Sequence, residues 1–354
     1  MHLPCGTYHD RYGQDHAWWQ TRFVWVRMIA LFLLLYVGLP ATGNFYLISV
    51  ANIIGYTILS AMGVQLLIGF AGQVTLGHAA FVAVGAYASA IAMLQFHLPY
   101  LVSIALAALV AGLWSVLFGL PSARVKGFYL IMTTMAAQFI TVDFIITQYV
   151  SQIGGRGHYF SLPPGTIALG PWVIDNDIEV YYLMVTLVIL CLIFMANLMR
   201  TRVGRAWIAI RDNDIAAEVM GVNVFRYKLL AFLVAGVLGG IAGAFWISTL
   251  AFVSPEHFQW GWSLWLVGVI LIGGVGSNYG TVFGSMFMVL VLEALKFALI
   301  PLTPVFPHLL EKFLYVKEAA FGLAIVLFLI YEPNGLAYRW WQIKNYIHLW
   351  PFSY

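Results

Sequence analysis

Charge is scarce in this 354-residue sequence: Asp, Glu, Lys and Arg together make up 9% of it. A soluble domain carries about 25%, so too few charges are present to coat a water-exposed globule. That excludes an ordinary soluble fold and predicts a chain embedded in a bilayer. Cysteine is nearly absent as well. Cys5 sits in a polar N-terminal arm and Cys191 in an apolar run, so neither a disulfide framework nor a metal cluster is expected. No G-x-x-x-x-G-K-[ST] loop occurs, which argues that this chain does not itself bind and hydrolyse ATP that way. H-E-x-x-H and G-x-S-x-G are also missing, and no enzyme activity is expected. Few charges lie inside the apolar runs, which argues against a carboxylate-relay proton pump or an arginine-rich voltage sensor. The net charge of +3, without an extended basic patch, gives no reason to expect a nucleic-acid partner.

What is abundant is hydrophobic length: 62% of residues are apolar. A helix needs roughly 20 mostly apolar residues to cross the hydrocarbon core. On that ruler ten candidates appear: 23–40, 45–68, 78–96, 98–119, 127–150, 180–199, 229–252, 261–277, 281–300 and 317–331. Continuous runs favour helices over barrel strands, because a helix satisfies its own peptide groups in lipid. The expected fold is an all-α integral membrane protein, a polytopic bundle of about ten transmembrane helices. The third and ninth candidates suit half-helices or re-entrant pieces. Arg11, Arg22 and Arg27 flank the first run, which reads as a retained span rather than a cleaved signal. Leu39–Gly43 spells a cell-wall sorting motif, but far from the C-terminal position such signals take, and is read as chance. Thirteen of the seventeen Lys and Arg residues fall on one side of a ten-span layout; Arg156, Lys296, Lys312 and Lys317 are the exceptions. The positive-inside rule then makes both termini cytoplasmic. The expected organisation is an arm (1–22), a transmembrane domain (23–331, with a cytoplasmic loop at 200–228) and a tail (332–354).

Three segments depart from plain lipid-spanning sequence. Residues 69–87, GFAGQVTLGHAAFVAVGAY, hold four glycines with Gln73, Thr75 and His78. Glycine lets a helix break or approach a neighbour closely, and interrupted helices line substrate routes in transporters. Gly69, Gly72, Gln73, Thr75, Gly77 and His78 are therefore candidates for a translocation path; the alternative is packing, with the polar groups satisfying freed backbone. Residues 200–228 are the most charged part of the chain. Trp207, Ile208, Ile210 and Ile215 suit an apolar stripe on short helical turns that docks a soluble partner, or else an ordinary basic loop. In 273–284 the glycines at 276, 280 and 284 have the spacing of close helix crossings, as do Gly236–Gly240 and Gly239–Gly243. Glu293 and Lys296 lie three apart and can pair. Asp143 stands alone in the fifth run, either functional or near an interface.

Together these motifs resemble one family. GFAGQVTLGHAAFVAVGAY resembles the signature of permeases of branched-chain amino acid ABC importers, the LivM/LivH type. RVKGFYLIMTTMAAQFI, GGRGHYF with Pro163-Pro164, GRAWIAIRDNDIAAEVMGVNVFRYKLLAF, GGVGSNYGTVFGS and Glu332–Leu336 follow in the family's order, and the LivM branch fits better. The resemblance covers about residues 45–338. It implies a multi-pass inner-membrane subunit pairing with a second, LivH-like permease, driven by two cytoplasmic ATPases that bind the ATP, and fed by a solute-binding protein outside. It implies no cofactor in this chain and branched-chain amino acids as solute. Urea or other amino or aromatic acids are alternatives within the family, and a stand-alone secondary transporter is one outside it. Arg205, Arg211, Asp212, Asp214, Ala216, Ala217 and Gly221 would form the ATPase coupling loop. Ala216, Ala217 and Gly221 match the importers' E-A-A-x-x-x-G, but Ile215 stands where the Glu belongs; Asp212 or Asp214 would substitute.

Overall fold

The computed structural model describes residues 22–153, 159–163, 165–169, 172–174, 176–299 and 313–349. Cys5, Arg11, Gly154–His158, Pro164, Asp175 and Lys312 lie outside the described residues. Helix α1 (Arg22–Leu33) continues through a π-helical turn (Leu34–Gly38) to Ala41; α2 (Phe45–Val64) extends through a second (Gln65–Phe70). Then come α3 (His78–Leu94), α4 (Tyr100–Ser122) and α5 (Phe128–Phe139), which continues through a third π segment (Ile140–Ile146) to Tyr149. They are followed by α6 (Asp177–Arg200), α7 (Arg202–Asp212), α8 (Asp214–Val219) and α9 (Val224–Leu250). The last four are α10 (Trp260–Gly273), α11 (Asn278–Leu299), α12 (Phe313–Tyr331) and α13 (Gly335–Leu349). Two small antiparallel pairs sit in loops: β1 (Phe160–Ser161) with β4 (Phe252–Val253), and β2 (Ala168–Leu169) with β3 (Trp172–Val173).

Each expected run overlaps a helix among the described residues, and the chain is an all-α polytopic membrane protein. Among the described residues six helices are long and apolar enough to cross a membrane, seven if α12 and α13, bent by 44°, count as one span. Three more apolar helices, Trp25–Ala41, α3 and α10, are shorter. The ninth run differs from expectation: α11 is a full 22-residue helix, and the short one is α10, built from the eighth run. Helix resumes at Asn278, so the interruption expected over 273–284 shrinks to the turn Gly274–Ser277. The segment read as a tail contains the helix α13.

Outward faces are apolar, as lipid requires: Leu109, Leu113 and Leu117 repeat every turn of α4 and are more than half exposed. Two helices form the centre instead. The apolar windows of α2 and α9 are 83% and 72% buried, against 28–39% for the four other spanning helices. Glycine makes α9 central. A Cβ at Gly236 or Gly240 would run into the α4 backbone at Ala111 and Ala107, and one at Gly239 or Gly243 would press on α3 at Phe81 and Val82. The four-residue spacing thus presents two grooves, one per neighbour. Glu293 and Lys296 pair at 2.5 Å on α11, with the Tyr46 hydroxyl donating to the same carboxylate.

Polar loops gather at two ends. At one end Lys126 meets Asp214, Arg211 meets Gly69 and Gly276, and Gly274 lies against Asn334 and Gly335. At the other, Leu162 N–H donates to the carbonyl of Ala251, and His97–Pro99 border a cleft of about 430 Å³ with Gly165 and Thr166.

Candidate functional site

Two long helices end in the same way. After α2 the chain is non-helical over 71–77 and turns into α3; after α9 it passes through 251–259 and turns into α10. Both short helices begin beside Gln138 of α5. Its Oε1 accepts the Ala80 N–H at 2.7 Å, and its Nε2 donates to the Phe258 carbonyl at 2.5 Å. Ser263 in the first turn of α10 accepts the Ala79 N–H at 2.9 Å. A helix start leaves four N–H groups without partners, and one amide plus one hydroxyl supply acceptors for two of them here. The result is a buried polar node between two interrupted helices, the arrangement found at transporter substrate sites.

The residues expected on a path divide around this node. Thr75 Oγ1 accepts the Gly77 N–H at 3.3 Å, so it satisfies freed backbone. Gly77 permits a close approach, because a Cβ there would run into the Thr134 carbonyl. The His78 ring fills a notch left by Gly63 and Gly239 and meets Phe81 edge to face. Gln73 is 2% exposed, and its amide has no partner among the described residues. Gly69 and Gly72 lie elsewhere, at the hairpin end. Thr134, Gln138 and Ser263 were missed. Each is a polar residue in an apolar run, which is a signal, but only the fold brings them to one point. Asp143 is exposed and belongs to no cluster.

At the hairpin end the π turn closing α2 leaves its last carbonyls unpaired along the helix. Arg211, in the last turn of α7, donates from Nη1 to the Gly69 carbonyl at 2.7 Å. Its stem lies against Gly72, whose φ of +67° already favours glycine, and its guanidinium against Gly276. Gln65 Nε2 donates to the carbonyls of Gly274 and Ser277 at 3.1 and 2.8 Å. Three segments distant in sequence are thereby tied together: the 69–72 break, the 274–277 turn and the α7–α8 hairpin.

The hairpin itself differs from the single stripe expected. Asn213 interrupts it, its Oδ1 accepting the Ile215 and Ala216 N–H groups to cap α8. Trp207 and Ile210 turn inward, fully or nearly buried, and the Trp207 indole donates to the Tyr227 carbonyl at 2.8 Å. Ala217 is buried and Ala216 exposed, while Ile215, Val219 and Met220 stand 67%, 81% and 83% exposed. Gly221 ends α8 at φ +86° with open space around it, so backbone conformation, not packing, requires glycine there. Arg205 is exposed. Asp214 is committed within the chain, 2.5 Å from Lys126 and 3.8 Å from Lys228. Asp212 is taken up with Arg211 at 3.3 Å. Asp214 is the less exposed of the two, while Asp212 keeps most of its side chain in solvent.

The Lys126 ammonium beside Asp214 holds its carboxyl below the usual carboxylate range. A depressed native pKa contributes stability above the unfolded value that is lost as pH falls through the native one. The hairpin contact is therefore expected to persist unchanged from about pH 5 to 8 and to weaken only below about pH 4. With its Lys126 side largely in solvent, the pair contributes at most about 1 kcal/mol. Hydrogen exchange of α8 amides across this range checks it; a transition near neutrality abolished by Asp214→Asn would contradict it.

A model of the family described as branched-chain amino acid transport system / permease component matches residues 46–329. The high-affinity branched-chain amino acid transport system permease protein LivM of Escherichia coli (strain K12) is 26% identical over 330 residues, covering 87% of this chain and 74% of that protein. The probable branched-chain amino acid transport permease protein LivM of Methanocaldococcus jannaschii is 26% identical over 250 residues, 67% of each. The ribose import permease protein RbsC of Bacillus subtilis is 27% identical over 152 residues, 42% of this chain and 41% of that protein. No solved structure matches the chain. The family match runs from the first turn of α2 almost to the end of α12 and so takes in both interrupted helices, the Gln138 node and the hairpin: the chain belongs to the permease components of branched-chain amino acid transport systems.

Proposed function

We propose that this chain is one of two permease subunits of an ABC importer in the inner membrane, carrying a branched-chain amino acid or a related small polar solute. One of two cytoplasmic ATPases docks on the α7–α8 hairpin, a LivH-like permease completes the path and carries the other, and a soluble binding protein delivers solute outside. The observation that carries this reading is Arg211: a residue of the docking hairpin holds the end of an interrupted helix that starts the path. Movement of the hairpin then reaches the 69–77 break without an intervening loop.

The membrane layout proposed is ten passes with both termini cytoplasmic. The loops at 71–77, 123–127, 200–223, 274–277 and 332–335 share one end, which supports strict alternation, and most of the Lys and Arg side chains flank that end. Solute would move along the interrupted helices past Gln73, His78 and the Gln138 node. On this reading Gly69 and Gly72 act at the inner gate rather than along the path. Ile215, Val219 and Met220 form the apolar docking face in place of an ion pair from residue 215.

Co-expression tests the reading: the purified chain should retain a nucleotide-binding subunit and a second permease, and uptake should stop with a catalytically dead ATPase. Equal uptake with the dead ATPase would establish a stand-alone secondary transporter instead. Changing Val219 and Met220 together to Ser should release the ATPase, weakening its retention roughly tenfold or more, since two buried apolar anchors are worth about 2 kcal/mol or more. Undiminished retention in pull-down would remove the docking face from this surface.

A further inference from the structure

Helix α13 takes no part in the hairpin or the Gln138 node. The helix before it, α12, has 19 residues. At about 1.5 Å per residue it covers roughly 28 Å, almost the whole hydrocarbon core. The 15 residues of α13 therefore lie beyond that crossing, after the 44° bend. They do not run out into water. The Trp340 ring meets Phe283, early in α11, at 5.6 Å, and Leu336 packs on the core shared by α2, α10 and α11. The helix stays level with the end of the bundle, at the membrane surface.

Its sides are ordered. At 3.6 residues per turn, Leu336, Trp340, Ile343 and Ile347 fall within an arc of about 60°, and Gln342 and Asn345 lie across from it. Arg339 borders one edge of this apolar stripe and Lys344 the other, and Gly335–Leu349 holds no Asp or Glu. Beyond Leu336 the stripe is bare: Trp340, Ile343 and Ile347 are 40%, 51% and 58% exposed. Basic residues on both edges complement an anionic layer, because their stems lie along the apolar face while their charges reach phosphate. Arg339 is partly committed, its Nε donating to Glu332 at 2.5 Å and its Nη1 to Gln342 at 3.1 Å. Lys344 carries the larger share.

We infer that α13 is an interfacial helix seated on the anionic phospholipid headgroups of the inner leaflet, and that this seat steadies the inner gate. The stripe lies at the boundary of headgroups and acyl chains, with Trp340 at the depth tryptophan favours. The link to the gate is short. Gly335 starts α13 at φ +74°, and a Cβ there would run into the Gly274 backbone. The Ala337 side chain also faces Gly274, and Gln65 of α2 holds the same turn through the Gly274 and Ser277 carbonyls. A helix anchored in headgroups thus gives the 274–277 turn a fixed reference while the hairpin moves. The inference rests on the permease reading for its gate and goes beyond it in naming the partner.

The test uses the complete importer in phosphatidylcholine vesicles with or without phosphatidylglycerol. A nitroxide is attached at Ile343→Cys or Asn345→Cys, on a background carrying Cys5→Ser and Cys191→Ala. The 343 label should be mobile, open to oxygen dissolved in lipid and shielded from a water-soluble nickel chelate; the 345 label should show the reverse. An immobile 343 label closed to both reagents means that a protein covers the stripe, and one open to nickel means that it stands in water. Either result overturns the inference. Phosphatidylglycerol should raise ATP-driven uptake, and the content giving half the gain should rise roughly fivefold in Lys344→Gln, the effect of one basic charge at an anionic surface. Lys344→Arg should keep the wild-type value. An unshifted titration in Lys344→Gln also overturns it, and decides alone if the labelled background fails to assemble. Absent uptake beside a lipid-exposed 343 label defeats the permease reading and leaves the seat of α13 standing.

Discussion

Arg211→Ala should cut solute uptake per ATP hydrolysed by about tenfold to a hundredfold while the ATPases remain bound and active. The guanidinium supplies a charge-assisted hydrogen bond to the Gly69 carbonyl and contact with Gly72 and Gly276. Removing it leaves a carbonyl at the end of an interrupted helix unpaired, a loss of about 1.5–3 kcal/mol. Alanine leaves the docking face untouched, because Ile215, Val219 and Met220 lie on α8 beyond the Asn213 cap. Hydrolysis therefore continues while the movement it drives no longer reaches the break. Lysine in its place should restore part of the coupling, since it carries the charge without the planar fork. Uptake and hydrolysis measured together in proteoliposomes decide the matter. A proportional fall in both would mean that Arg211 supports docking instead of transmission.

The second large effect concerns the centre of the bundle. Gly243→Leu should destabilise the folded chain by several kcal/mol, seen as a fall of about 5 °C or more in its unfolding temperature in detergent. A Cβ at this position would run into the Val82 carbonyl and come within 2.5 Å of the Ala86 nitrogen. Both obstacles are backbone, so no rotamer change relieves them, and the α3–α9 crossing must widen. That displaces the first turn of α3 from Gln138 and Ser263. Gly322→Leu is the matched control, because nothing lies within 4 Å of a Cβ there. Similar unfolding temperatures for the two variants would show that the crossing is not held by glycine.

Much of this was legible from residue order alone. Apolar runs of sufficient length became helices because a bilayer leaves the backbone few other ways to satisfy its peptide groups. The four-residue glycine spacing in α9 correctly announced close crossings. The Glu293–Lys296 pair followed from helical geometry. The break at 69–77 was visible as an excess of glycine and polar residues. Its counterpart at 251–259 was not, because a proline and a few polar residues after a long run look like any short loop. The hairpin was misread in detail for a related reason. Trp207 and Ile210 have the spacing of an outward stripe, but burial is a property of neighbours, and here α9 supplies them.

Sequence by itself determined that this chain lives in lipid and that its long apolar runs are helical. Those follow from composition and periodicity, which act locally along the chain. Only the tertiary structure decided that Arg211 reaches Gly69 across 142 positions, and that Gln138 joins the starts of two short helices. Only it laid the start of α13 against the turn at Gly274. Contacts of that kind depend on which helices cross, and crossing is set by the shapes of surfaces that meet after each helix has formed.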